Sequence, residues 1–235
     1  ESSREDGIRV ETNAEIHTIE KSGGRFRMRI GSKESEVVET DMVVHGGGRV
    51  PDLDDLDLEA GGVEREKDGV RVHRTLRSVS NPAVYAAGDA AATDGLPLTP
   101  IATREGIVVA KNLIENAGDT PDYTGTPAVV FSDPPLAGVG LREDEARERG
   151  IAVNVHHEET TDWYSSRRLG GIRSAFKVLI EEGTGEIVGA HLLGPHAEEA
   201  INVFALAIRH RITASDLKRT SWAYPTVCSD ISHMV

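Results

Sequence analysis

The chain has 235 residues with 38% hydrophobic and 4% aromatic content, enough for one large or two small domains whose cores rest on Val, Ile, Leu and Ala. Its 39 acidic against 26 basic residues leave a net charge of −13, which disfavours nucleic acid and anionic membrane surfaces, since both need clustered Lys and Arg. Two readings of that charge stay open: an ordinary acidic protein, or a salt-adapted (halophilic) one whose surface stays soluble when salt screens repulsion. A single cysteine, Cys228, excludes an internal disulfide or a dithiol pair within the chain. The longest apolar runs, such as Phe204-Ala205-Leu206-Ala207-Ile208, fall far short of a membrane span. The polar start at Glu1 has neither a signal-peptide core nor an initiating Met, so a cytoplasmic protein that begins inside a longer chain is expected.

In chain order, residues 7–12, 14–20 and 25–30 alternate polar and apolar, with a turn at Lys21-Ser22-Gly23-Gly24, and predict strands. Residues 34–39 predict an edge strand, and Met42-Val43-Val44-His45 a buried one that stops at Gly46-Gly47-Gly48. This meander has no helix to cover it and reads as the tail of a domain. Beyond Arg49-Val50-Pro51 lie an acidic turn-rich segment (52–62), a short strand at Val70-Arg71-Val72 and a turn at Asn81-Pro82. Residues 83–89 predict a buried strand ending on Asp89. A helix then begins at Thr99-Pro100 and runs to about Glu115, with Ile101, Val108, Val109 and Leu113 at helical spacing. Residues 117–122 form the clearest linker.

The remainder reads as a complete α+β domain. Strands are predicted at 128–131 and 151–155, and a short helix at 142–149 is ended by Gly150. Residues 175–180 and 186–193 flank a Gly183-Thr184-Gly185 hairpin turn. An amphipathic helix follows over 196–211, with Ile201, Phe204 and Ile208 beside Ala200, Val203 and Ala207, and a short helix starts at 213–217.

Asp89, at the end of a predicted strand, is placed to accept hydrogen bonds from a polyol in the crevice where α/β folds bind ligands. Ten residues on, Leu98-Thr99-Pro100 opens a helix whose free amides and positive dipole end favour an electron-rich ligand atom. His156 and His157 are adjacent on a strand and face opposite sides, so they do not share a metal ion, and no metal site is expected. Trp163 and Tyr164 read either as an interface anchor or as part of a half-buried loop.

The run Val84-Tyr85-Ala86-Ala87-Gly88-Asp89-Ala90-Ala91 followed by Leu98-Thr99-Pro100-Ile101-Ala102 resembles the second FAD motif of the pyridine nucleotide-disulfide oxidoreductases, the family of glutathione reductase, dihydrolipoamide dehydrogenase and mercuric reductase. Gly48-Arg49-Val50-Pro51-Asp52 resembles the junction at which that family's nicotinamide domain returns to its flavin domain. Phe131-Ser132-Asp133-Pro134-Pro135-Leu136-Ala137-Gly138-Val139-Gly140-Leu141, Gly189-Ala190-His191-Leu192-Leu193-Gly194 and Ala223-Tyr224-Pro225-Thr226 follow in the order of its dimerisation domain. The resemblance covers nearly the whole chain. It implies α/β followed by α+β architecture: the end of an NAD(P)-binding domain as a β-meander (1–48), the C-terminal part of an FAD-binding domain (49–122), and a complete dimerisation domain (123–235).

By that resemblance Asp89 would bind the FAD ribityl chain, Leu98, Thr99 and Pro100 would face the flavin pyrimidine end, and Gly48 would lie by the nicotinamide cofactor. The full protein would use FAD and NAD(P)H, act on a small-molecule electron acceptor and form a homodimer. The family's two Gly-x-Gly-x-x-Gly fingerprints and its Cys-x4-Cys pair are absent from this chain, so the chain alone is expected to be inactive. The family's C-terminal His-Pro-Thr, with a Glu five positions after the His, is also altered. Tyr224 stands in the His place and Ser229 in the Glu place, with Asp230 one further on. A phenol, ordinarily titrating near pH 10, is a poor base at neutral pH, which puts dithiol chemistry in doubt. Cys228 reads as a small buried hydrophobe more readily than as a redox group. A dimerisation module without cofactor, or a flavoprotein with a non-disulfide acceptor, are the alternatives.

Overall fold

The computed structural model describes residues 1–31 and 36–235. The chain is mixed α/β and divides into two units, Glu1–Val50 and Pro51–Val235. In the first unit a short helix α1 (Ser2–Glu5) precedes an antiparallel meander of β1 (Ile16–Ser22), β2 (Arg25–Ile30) and β3 (Glu36–Thr40). Gly23 and Gly24 turn β1 into β2, both at positive φ (61° and 85°). The register pairs Ile19 with Met28 and Met28 with Val38, so the apolar positions of the alternation share one face.

Two expectations for this unit are corrected. Residues 7–12 form no strand; the chain leaves α1 through Gly7 (φ 83°) and joins no ladder before Ile16. Met42-Val43-Val44-His45 is not a buried strand either, and Met42 and Val44 are 72% and 82% exposed. An apolar run is buried on both faces only where strands flank it, and the meander ends its pairing at Thr40. The edge strand expected over 34–39 is present as β3, while Glu34 and Ser35 lie outside the described residues.

The second unit holds two separate cores. The smaller gathers Leu53, Val63 and Val70 with Leu58, Val72, Val84, Ala86 and Ala90 around a sheet of β4 (Arg65–Glu66), β5 (Gly69–Arg71) and β6 (Ala91–Ala92). The strand expected over 83–89 is only a half-buried extended run. It pairs along one edge, with Ser78 N donating to Val84 O (2.9 Å) and Ala86 N to Leu76 O (3.1 Å), then closes into a 3-10 turn at Gly88–Ala90. The helix expected from Thr99 is α2 (Thr99–Glu115). Its buried positions are Ile101, Glu105 and Asn112, whereas Leu113 is 59% exposed, contrary to the apolar spacing.

The larger core fills the C-terminal domain, whose sheet runs β7 (Ala128–Val130), β8 (Leu136–Gly140), β11, β10, β9 in space and is antiparallel throughout. A helix α3 (Glu143–Glu148) precedes β9 (Val153–Glu159), and a single turn α4 (Tyr164–Arg167) precedes β10 (Ala175–Glu181) and β11 (Ile187–Leu193). Then come α5 (Ala197–Arg209), α6 (Ala214–Arg219) and α7 (Ile231–Met234). Ala200, Ile201, Phe204 and Ala207 of α5 are wholly buried against β8 and β11. Gly140 (φ 74°) sits under that helix, where a Cβ would come within 2.6 Å of Ile208 Cδ1. Thr213 caps α6 by accepting from Asp216 N. Strand β8, inside the motif quoted above, had no alternation to announce it, because Gly138 and Gly140 break its pattern. No helix among the described residues is long and apolar enough to cross a membrane.

Candidate functional site

The structure brings Asp89 and the start of α2 together. Gly88 takes a positive φ (63°), and a Cβ there would lie 2.9 Å from Ala102 Cβ, so only glycine lets the turn rest on the first turn of the helix. Asp89 follows with its side chain exposed, and Leu98, half-buried, is the extended residue before the helix. The Ile101 and Ala102 amides both donate to the Leu98 carbonyl (2.9 and 3.0 Å). Pro100 has no N–H, which leaves Thr99 as the first-turn amide outside that pattern. The donor set is a carboxylate beside a helix N-terminus, with Thr99 and Pro100 exposed.

Beneath this turn lies a residue that sequence reasoning missed. Glu105 is 1% exposed, and its carboxylate accepts three hydrogen bonds. Gly88 N donates to Oε2 (2.6 Å), while Tyr123 OH (2.6 Å) and Thr93 Oγ1 (3.1 Å) donate to Oε1. Burial and the Glu105 hydrogen bond push the Tyr123 phenol up to about 12. About two turns further along α2, Asn112 donates to the carbonyls of Thr75 (3.0 Å) and Asp119 (2.9 Å) and accepts from Asp119 N (2.7 Å). Nothing in the apolar periodicity signals Glu105; a lone acid on the apolar stripe of a predicted helix, four residues after Ile101, is the only hint in the sequence.

Gly48 lies in the first unit, exposed and at φ 99°, a backbone shape that suits glycine.

The C-terminal residues form a different cluster. Tyr224 is 77% exposed and stacks on Tyr164, with ring centroids 6.3 Å apart and planes 20° apart. Ser229 does not stand beside it as a partner: its hydroxyl accepts from Thr226 N (3.3 Å) and donates to Thr226 O, within its own turn. Asp230 accepts from Ser165 Oγ, and burial raises its carboxyl above the usual range, outweighing the Ser165 hydrogen bond and the nearby His233 and Arg168. Burial likewise pushes the Cys228 thiol up, with Glu199 and Asp230 adding to it, and the side chain packs against the larger core. A thiol raised in this way is a weak nucleophile at neutral pH. Trp163 packs on Phe176 (5.8 Å between centroids) and edge-on to His233 (6.1 Å), so it belongs to the core. His157 and His156 pair across the sheet with Lys177 and Val178, as consecutive residues on opposite faces of β9.

Residues 1–106 match the profile of the pyridine nucleotide-disulphide oxidoreductases, and residues 126–235 match that of the family's dimerisation domain. The chain belongs to this family. The family is FAD-dependent and uses NAD(P)H. A Staphylococcus aureus protein described as an uncharacterized 19.7 kDa protein in a mercuric resistance operon is 49% identical over 180 residues, 77% of this chain and 100% of that protein. Pea (Pisum sativum) chloroplastic/mitochondrial glutathione reductase is 34% identical over 194 residues, 82% of this chain and 34% of that enzyme. The HOCl-induced flavoprotein disulfide reductase RclA of Escherichia coli shares the fold, with a TM-score of 0.85 at 24% identity over 98% of this chain and 52% of that one. The chain thus spans a third to a half of the enzymes it matches and the whole of the staphylococcal protein. Against the family cofactor, the Gly88–Asp89 turn and the start of α2 offer an exposed carboxylate beside an exposed helix N-terminus, a set compatible with a polyol-bearing cofactor such as FAD. The glycine fingerprint that would hold the FAD diphosphate is not in this sequence.

Proposed function

We propose that this chain supplies the flavin-facing turn and the homodimer interface of an FAD-dependent NAD(P)H oxidoreductase. The observation that carries the reading is the Gly88–Asp89 turn seated on the N-terminus of α2 and pinned by Glu105. The chemistry that FAD would supply in such an enzyme is hydride transfer from NAD(P)H and onward passage of the electrons. Asp89 would accept hydrogen bonds from the ribityl hydroxyls, and the Thr99 amide with the helix dipole would favour the electron-rich pyrimidine end of the ring. Residues 123–235 pair with a second copy about a two-fold axis. Gly48, at positive φ, would let the backbone approach the nicotinamide.

The acceptor is a species other than a dithiol-linked disulfide. Tyr224 replaces the imidazole base, and Ser229 spends its hydroxyl on Thr226 instead of orienting a neighbour. The mercuric resistance operon of the staphylococcal relative makes mercuric ion the first acceptor to try. NAD(P)H oxidation by the natural protein, assayed with mercuric ion, a quinone, glutathione disulfide and lipoamide, is expected to favour the first two by about a hundredfold, the usual worth of a lost acid–base group. Comparable turnover with the disulfides would overturn this assignment.

A second reading, a dimerisation module without cofactor, is favoured by one observation. The staphylococcal relative, matched along its whole length, is itself a protein of 19.7 kDa.

A further inference from the structure

We propose that Glu105 is the positioning residue of the flavin-facing turn: its carboxylate fixes the Gly88 amide and so sets the direction in which Asp89 leaves the turn beside the start of α2. The positioning rests on geometry alone; its consequence for FAD rests on the flavin reading above.

Three donors from three separate segments converge on this one buried side chain. Gly88 comes from the turn, Thr93 from the loop after β6, and Tyr123 from the segment joining α2 to β7. A buried carboxylate is tolerated where hydrogen bonds replace its water, and each of these bonds is charge-assisted. A leucine of similar size would strand all three donors. A glutamine could keep Gly88 N–H on its carbonyl oxygen only by turning its NH2 toward the Thr93 and Tyr123 hydroxyls, which would then accept instead of donate, and the charge that strengthens all three bonds would be lost. The arrangement therefore calls for a hydrogen-bonding side chain and not merely for a filler of the right volume.

The pin also reaches beyond the turn. Tyr123 precedes Thr124, whose carbonyl accepts from Arg209 on α5 (3.2 Å), and follows Asp122, which pairs with the same guanidinium (3.1 Å). Arg209 and Asp122 thereby tie the segment that holds Glu105 to the central helix of the dimerisation domain. A side chain that only filled space would need neither the carboxylate nor this path.

The test is hydrogen–deuterium exchange on the natural protein, wild type and Glu105→Leu, with FAD affinity measured on the same samples by titrating apoprotein. Exchange in the peptide around residues 86–92 is expected to rise about tenfold while the β10–β11 hairpin stays at its wild-type rate, and the FAD dissociation constant to rise by a similar factor. Unchanged exchange around Gly88 overturns the proposal, whatever happens to FAD. If the wild type takes up no FAD but the turn still loosens in the variant, the positioning role stands and the flavin reading falls. Should Glu105→Leu lose its fold throughout, the Thr93→Val, Tyr123→Phe double variant takes its place. It removes both donors to Oε1 and frees the carboxylate to rotate, so a rise of about threefold confined to the turn is expected, and no rise overturns the proposal.

Discussion

At the scale of single residues, the chemistry of this chain sits in a few side chains whose surroundings differ sharply. Asp89 is exposed and available to a ligand, while Glu105 is buried and committed to three donors. Tyr123 carries the consequence for pH. Its phenol titrates near 10 when unfolded and at about 12 in the fold, because burial and Glu105 favour the neutral form. A raised pKa contributes stability that is complete below the unfolded value and is lost as pH climbs through the folded one. The melting temperature should therefore fall more steeply between about pH 10 and 12 in the wild type than in Tyr123→Phe, which has no phenol to titrate. Parallel curves for the two proteins would contradict the assignment. The sequence made Asp89 and the start of α2 legible because they form a motif of fixed spacing. Glu105 was not legible, since its partners Gly88, Thr93 and Tyr123 come from three segments that only the fold brings together. Tyr224 and Ser229 were legible as departures from a pattern. That Ser229 turns back on Thr226, and that Asp230 is held by Ser165, needed coordinates.

At the scale of elements, apolar periodicity worked where a helix or strand lies on a complete core and failed where it does not. Helix α5 was read almost to its ends, and its stripe of Ala200, Ile201, Phe204 and Ala207 is wholly buried. Phe204→Ala should cost about 3–5 kcal/mol in chemical denaturation of the dimerisation domain, as large-to-small changes at fully packed aromatic sites do. A loss below about 1 kcal/mol would mean the ring does not anchor the helix. Helix α2 was placed correctly, and Ile101 is buried with Val108 and Val109 half-buried, but Leu113 of the expected stripe is exposed while Glu105 and Asn112 take the buried side. The same reversal appears at Met42 and Val44, apolar and exposed at the end of the meander. The runs 7–12 and 83–89 show the other limit of pattern reading. Alternation or apolarity marks residues able to form a strand, but a ladder also needs a partner strand that runs alongside in register over several residues.

At the scale of the whole molecule, residues 126–235 match the family's dimerisation domain, whereas the part matching its nucleotide-binding region carries no glycine fingerprint. The enzymes it resembles are two to three times its length, and the staphylococcal protein is matched from end to end. The central claim is that Asp89, Leu98, Thr99 and Pro100 face a flavin. The most direct test is the intact mass of the natural protein taken together with its visible absorption spectrum. A flavin spectrum at one FAD per chain, in a protein clearly heavier than 25.3 kDa, is the predicted result. A colourless protein of 25.3 kDa would contradict it and leave the dimerisation module as the function of this chain.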